Sequence, residues 1–239
     1  MKVIYLHHSG FLVQLPTNTV VFDAITDIQP HFLRKGRQHY FLASHSHQDH
    51  FAQRIFSYGT DYNSTYILSD DITKRGGSNV HYIKPYETMT FDHPKAGKIE
   101  IETFGSTDLG VSYVVKCEGK TIFHAGDLNW WDWDPEERPG IDPATEEADY
   151  KNEIARIAEK YPAGSFDLAF VPVDSRLSGH SPIRAAEYFI DTLKPKVLAP
   201  MHFWDEYSVI DELQTRCFGK GTEILSIHKR NEIIYDDEQ

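Results

Sequence analysis

The stretch Tyr40-Phe41-Leu42-Ala43-Ser44-His45-Ser46-His47-Gln48-Asp49-His50 decides how the rest of the chain is read. Its first four residues form a short apolar run of the kind that makes a buried strand. Directly after it, three histidines and an aspartate fall within six positions. A turn that follows a strand can aim several of these side chains in one direction. Imidazole and carboxylate groups brought together in this way suit zinc, iron or manganese. An exposed polar turn is the plainer alternative, but such turns seldom use so many histidines. The residues from Asp49 to Ser57 are predicted to start a short helix immediately behind the cluster.

Outward from this stretch, the first half of the chain reads mainly as strands. Lys2 to Leu6 leads into the turn His7-His8-Ser9-Gly10, and Phe11 to Leu15 and Thr19 to Phe22 flank the hairpin signal Pro16-Thr17-Asn18. Further strands are predicted at Ser64 to Leu68, Val80 to Ile83, Thr88 to Phe91, Ile99 to Phe104, Val111 to Cys117 and Thr121 to His124. Helices are fewer. One runs over Glu146 to Tyr161, with Tyr150, Ile154, Ile157 and Ala158 at helical spacing. A second starts at Ser181-Pro182 and stops before Pro195, and a third spans roughly Glu206 to Cys217. Strands Leu168 to Val171, Val197 to Ala199, Ile224 to Ile227 and Glu232 to Tyr235 separate or follow them. Many strands first, then helices alternating with strands, implies two sheets packed face to face with helices outside. Asn129 to Thr145, rich in Trp, Asp, Glu and Pro, reads as a long loop of the sort that covers a site.

Composition bounds the function. The 239 residues are 40% apolar and 25% charged, which are globular values with one domain as the default. The formal charge of −12 argues against a partner held by its phosphate backbone, so no nucleic acid is expected. It says little about one pocket, because bound divalent ions make a positive site on an acidic protein. Cys117 and Cys217 read as buried small side chains rather than a disulfide framework. No signal-peptide pattern and no long apolar run is present, so the expectation is a cytoplasmic protein that acts on a small molecule, off the membrane, with a homo-oligomer allowed.

Other candidate ligands sit just behind predicted strands. Asp127 follows Thr121-Ile-Phe-His124-Ala-Gly126, where glycine permits a tight turn, and His202 follows Val197-Leu-Ala-Pro200-Met201. The order strand, H-x-H-x-D-H, Gly-Asp, His resembles the metallo-beta-lactamase fold superfamily of hydrolases. Ser44-His-Ser-His-Gln-Asp-His50, His124-Ala-Gly-Asp127, Phe170-Val-Pro-Val173 and Pro200-Met-His202 carry the resemblance. The opening His8-Ser9-Gly10-Phe11 is similar to the small branch that includes ascorbate-lactone hydrolases. The resemblance covers about residues 1 to 235. It implies an α/β fold, a four-layer αββα sandwich of two mixed sheets with outer helices.

The same resemblance implies one or two divalent metals, zinc with manganese or iron as alternatives. His45 and His47 would bind the first ion, Asp49, His50 and His202 the second, and Asp127 would bridge. Two such ions can share a hydroxide and stabilise the leaving oxygen, with Asp49 orienting the water. The family's usual third histidine of the first site is missing from Phe104-Gly105-Ser106-Thr107-Asp108-Leu109-Gly110. Asp108 can substitute as an oxygen ligand, which favours manganese or iron somewhat over zinc. Ser106 and Thr107 are weaker substitutes, and a centre with only the second ion is a further option; His124, three residues before Asp127, either fills the gap, supports a ligand from behind or simply packs. His180, in Leu177-Ser-Gly-His-Ser-Pro182, is placed to donate a proton to a leaving group. His8 is a further residue able to approach the pocket. The three tryptophans of Asn129-Trp-Trp-Asp-Trp133 either line a pocket or anchor their loop, Trp204 joins the same wall, and Arg54, Lys74, Arg75 and Arg176 are candidates to receive an anion.

The expected activity is metal-dependent hydrolysis of an ester-like bond, in a lactone, carboxylic ester or phosphodiester. A di-iron redox protein of the same fold and a non-catalytic metal-binding or interaction protein are the competing readings. Fold alone does not choose among them.

Overall fold

In the N-terminal half, alternate residues of each strand enter two different cores. Val3, Tyr5, Phe11, Val13, Val20, Phe22, Tyr40 and Leu42 lie in one, while Ile4, Leu6, Leu12, Val21, Phe41 and Ala43 lie in the other. A strand turns successive side chains to opposite faces, so a sheet made of these strands is covered on both sides. Each large aliphatic or aromatic side chain buried this way contributes roughly 1.5–3 kcal/mol.

The computed structural model describes residues 1–136, 138–177 and 181–237. Along the chain run β1 (Lys2–His7), β2 (Gly10–Gln14), β3 (Asn18–Phe22), β4 (Gln38–Ala43), β5 (Asn63–Ser69), β6 (Val80–Ile83), β7 (Thr88–His93), β8 (Gly97–Phe104), β9 (Ser112–Cys117) and β10 (Lys120–His124). Then come α1 (Pro143–Lys160), β11 (Leu168–Pro172), α2 (Ser181–Leu193), β12 (Val197–Met201), α3 (Ser208–Arg216), β13 (Glu223–Ile224) and β14 (Glu232–Asp236). They form two seven-stranded sheets, ordered β14-β1-β2-β3-β4-β5-β6 and β13-β12-β11-β10-β9-β8-β7.

The two sheets follow the same plan. In the first, the pairings from β14 to β3 are antiparallel and those from β3 to β6 are parallel. In the second, the pairings from β7 to β10 are antiparallel and those from β10 to β13 are parallel. Both sheets are therefore mixed, and helices flank them, as in the αββα sandwich of the metallo-beta-lactamase fold. Helices α1, α2 and α3 carry their buried residues into the same core as the second sheet. The outer face of the first sheet is covered differently. The helix expected over Asp49 to Ser57 is a 3-10 segment over Gln53–Thr60, and Pro30–Phe32 forms another. Ile55, Phe56, Phe32 and Tyr58 from these segments pack on Phe41, Tyr66 and Leu68.

Other boundaries moved for local reasons. Helix α1 starts before Glu146 because Asp142 accepts from Ala144 N at its start and Pro143 fills the first position, where a missing N–H costs nothing. The strand expected at Ile224 to Ile227 pairs only over Glu223–Ile224. The Asn129 to Thr145 loop ends at Asp142. Cys117 and Cys217 are both free and buried. No helix among the described residues is long and apolar enough to cross a membrane.

Tyr113 of β9 ties the two sheets together. It is fully buried, and its hydroxyl lies 2.9 Å from Ala43 O and 3.2 Å from Ile67 O in the opposite sheet. Ala43 is the last residue before the histidine-rich turn, so this contact holds the turn's root. The variant Tyr113→Phe removes the donor and leaves the cavity filled. It is expected to destabilise the fold by about 1–2 kcal/mol in urea unfolding. An unchanged midpoint would show that the carbonyls are satisfied without it.

Candidate metal centre

The site is built where strands of both sheets end. The turn after β4 carries His45, His47, Asp49 and His50, the turn after β10 carries Asp127, and the residue after β12 is His202. In open parallel arrangements, the carboxyl ends of strands are where side chains from several elements converge. The turn between β1 and β2 adds His8, and the turn between β8 and β9 adds Asp108.

Two glycines allow these turns to meet. A Cβ on Gly110 would stand 2.0 Å from Ser44 O and 2.6 Å from His45 Cβ. One on Gly126 would stand 2.8 Å from both Ser44 Cβ and Val111 O. Both have positive φ, so any other residue there is strained in its backbone as well as crowded. His8, Asp23 and His202 also have positive φ without being glycine. Non-glycine residues in this region cost on the order of 1–3 kcal/mol and cluster at functional sites.

The donor atoms fall into two groups, His8, Asp49, His50 and His202 in one, and His45, His47, Asp108 and Asp127 in the other, with all atoms of each group within 4.8 Å. Asp127 stands between them. Its Oδ1 lies 3.0 Å from His50 Nε2 and 3.3 Å from His202 Nε2, and its Oδ2 lies 3.6 Å from His45 Nε2. His45 Nε2 and His47 Nδ1 are 3.0 Å apart, His47 Nδ1 and Asp108 Oδ2 are 3.6 Å apart, and His8 Nε2 and Asp49 Oδ2 are 3.5 Å apart. Ligands held at about 2.1 Å from one ion lie roughly 3.0–3.4 Å from each other. The spacing therefore fits a bound cation. So does the hydrogen bonding: both nitrogens of His8 are buried with no hydrogen-bond partner among the described residues. A buried polar atom left so costs about 1–3 kcal/mol unless something else satisfies it.

The groups behind the donors fix which nitrogen faces the centre. Ser44 Oγ–H donates to Asp23 Oδ2 at 2.7 Å, and Ser44 N–H donates to Asp23 Oδ1 at 2.8 Å. His50 Nδ1 lies 2.7 Å from Asp23 Oδ2, and His202 Nδ1 lies 3.0 Å from Asp174 Oδ2. A carboxylate can only accept, so both rings carry hydrogen on Nδ1 and turn Nε2 to the centre. His45 Nδ1 is 3.0 Å from Ser44 Oγ, whose one hydrogen is engaged by Asp23, so His45 too turns Nε2 inward. Arg176 holds Asp174 in turn, through Nε at 2.9 Å from Oδ1.

These contacts set the protonation states. Burial lowers His8 and His45 to about 4, so both are neutral at pH 7 and free to ligate. Burial would lower His50 as well, but Asp127 and Asp23 outweigh it and raise that ring to about 10. Asp127 is pushed up by burial, yet His202, His50 and His45 hold it well below the usual carboxylate range. Asp108 is raised by burial and by the Asp127 charge.

The remaining candidates are placed as follows. His124 is not among the donors: its Nε2 is 2.9 Å from Ser9 O, its Nδ1 accepts from Gly126 N, and its ring stacks on Phe22. Thr107 Oγ1 is bound to Asn129 O at 2.6 Å and Asp127 O at 3.1 Å, and Ser106 Oγ accepts from Asp108 N. His180 lies outside the described residues. A cavity of about 300 Å³ opens over the centre, lined by His47, Asp49, Asp108, Asp127 and His202 together with Trp131, Trp133 and Arg176. Trp131 meets His202 edge-on at 5.5 Å, whereas Trp130 turns away to pack near Tyr150 and Tyr188. The tryptophans thus divide between pocket wall and loop anchor. Trp204 stacks on His8 at 4.1 Å. Arg54 pairs with Asp27, and Lys74 and Arg75 lie over Tyr82 and Phe56. Asp23 and Asp174 escape the sequence reading. Asp23 directly follows β3 and Asp174 stands two residues after β11, the same signal that marks Asp127.

Because His50 holds a proton below about pH 10 in the metal-free centre, a divalent ion has to displace it. Metal uptake at pH 7 is expected to release roughly one proton per His50 site, and apparent affinity is expected to climb with pH until that proton is gone. Indicator-dye titration in weak buffer measures this, and uptake without proton release would refute the assignment. Asp174→Asn is expected to weaken metal affinity about 10–100-fold without loss of fold, measured by competition with a chromogenic chelator.

No protein-family model matches the chain. In sequence it is similar to a UPF0173 metal-dependent hydrolase of Pelotomaculum thermopropionicum, 27% identical over 222 residues that cover 85% of this chain and 84% of that protein. In structure it is similar to a metallo hydrolase from the hyperthermophilic archaeon Ignicoccus hospitalis, with a TM-score of 0.66, 16% identity and 98% of each chain covered. The metallo-beta-lactamase fold protein YhfI of Bacillus subtilis superposes with a TM-score of 0.57 at 13% identity, again over 98% of each chain. The chain therefore has the metallo-beta-lactamase fold, and over most of its length it is similar to metal-dependent hydrolases.

Proposed function

We propose that this protein is a metal-dependent hydrolase that cleaves an ester-like bond of a small molecule, a lactone, carboxylic ester or phosphodiester. The observation that carries the reading is the pair of donor groups meeting at buried Asp127 on the floor of an open cavity. His45, His47 and Asp108 would hold one ion, His50, His202 and Asp49 the other, with Asp127 between them and His8 available to the second. When bound, a divalent ion supplies Lewis acidity, which lowers the pKa of water and polarises a carbonyl or phosphoryl oxygen. Asp49 reaches the cavity with its side chain 27% exposed and accepts a hydrogen bond from the attacking water. Asp23, Ser44 and Asp174 keep the imidazole rings from turning. Trp131 and Trp133 narrow the cavity and exclude bulk water around the reacting group. His180 is proposed as proton donor to the leaving group from its position just ahead of α2 in the sequence.

An oxygen donor at Asp108 suits manganese or iron as well as zinc. That choice also supports a second reading, in which a pair of irons performs oxidation. Elemental analysis separates the two: iron with visible absorption favours oxidation, and colourless, ester-cleaving protein favours hydrolysis.

Chelator-treated protein is expected to lose hydrolysis of ester and lactone substrates, and zinc or manganese is expected to restore it. Asp127→Asn is expected to lower kcat/KM by at least about 100-fold with an unchanged circular dichroism spectrum. Full activity in verified metal-free protein would sink the proposal. Asp108→Ala is expected to lower bound metal toward one ion per chain, and Asp108→His to recover the second.

A further inference from the structure

The part of the cavity that lies beyond the donor groups has its own chemistry. Trp131 and Trp133 stand parallel there, with 2° between their planes and 6.1 Å between centroids. Two guanidinium groups flank Trp133: Arg138 lies 3.7 Å over the ring and Arg176 lies 5.5 Å from it. Arg176 is already neutralised, since its Nε and Nη2 are bound to Asp174. Arg138 is not. It lines the same cavity, and among the described residues its guanidinium forms no ion pair and no hydrogen bond. A guanidinium stacked on an indole is held in orientation with its edge donors outward, a geometry suited to a planar carboxylate.

On a chain with a formal charge of −12, a cation that forms no ion pair among the described residues stands out beside a pocket. Asp49, Asp108 and Asp127 belong to the donor groups that a metal would neutralise. Glu146 also lines the cavity; burial and the charges of Asp149 and Asp132 push its carboxyl up, while the charge of Arg138 acts in the opposite direction.

Resting on the hydrolase reading, we infer that the substrate is an ester or lactone that carries a separate carboxylate, which docks on Arg138 while its apolar body lies along Trp131 and Trp133. A small anionic ester is then steered into an acidic protein by one local cation, and the scissile group is left for the metal centre.

The test uses the metal-loaded protein and two non-hydrolysable probes of one shape, 3-phenylpropionate and its amide, 3-phenylpropionamide, titrated by tryptophan fluorescence. Wild type is expected to bind the carboxylate at least about tenfold more tightly than the amide, and Arg138→Gln to remove that preference. Arg138→Lys is expected to recover part of it. Equal binding of both probes by wild type overturns the inference. So does a carboxylate preference that survives Arg138→Gln, because the anion then sits on the metal. If the chain is no hydrolase, ester turnover is absent at any metal loading while the probe preference still depends on Arg138, so the two failures are told apart.

Discussion

A carboxylate buried to 4% exposure, Asp127, sets the terms for everything around it. An isolated charge at that depth is not tolerated; it has to be paired or to coordinate a metal. Here three imidazoles, from His45, His50 and His202, face it from turns that follow different strands. To bring them there the chain accepts positive φ at His8, Asp23 and His202 and requires glycine at positions 110 and 126. Strained backbone and unpartnered histidine nitrogens meet at this centre, where a cation would satisfy the latter.

The two sheets explain how that convergence is possible. Each changes from antiparallel to parallel pairing partway across, and each contributes parallel strands whose ends open at the same edge. The strands are buried on both faces and so are hard to displace. Polar groups carried on the turns inherit that rigidity, and Tyr113 adds a direct hydrogen bond from one sheet to the other beside the first histidine. Behind the donors, Asp23, Ser44 and Asp174 form a second ring of contacts that chooses the tautomer of each imidazole. The consequence is a centre arranged before any ion or substrate arrives, which is what electrostatic stabilisation of a reacting group demands.

The tryptophan loop divides labour within five residues. Trp130 fastens it to the helical layer through Tyr150 and Tyr188, while Trp131 and Trp133 face the cavity. An anchored loop can present aromatic surface and a stacked arginine at low entropic cost, so in the proposed hydrolase binding selectivity would come from a segment separate from the donor groups.

Much of this was legible in the residues alone. Period-two alternation in the strands, the apolar spacing of α1 and the density of histidine at positions 45 to 50 are local signals, because they follow from backbone geometry over a few residues. Asp127 and His202 were readable for the same reason: each stands just behind an apolar run. The sequence could not say whether Asp108 or His124 faces His47, since both lie on turns with no periodicity to orient them. Only the tertiary structure decided that His124 stacks on Phe22 in the core while Asp108 comes within 3.6 Å of His47. It likewise drew His8, Asp23 and Asp174 to the site from segments outside the first motif. Distances across two packed sheets depend on how the layers stack, and no local pattern encodes that.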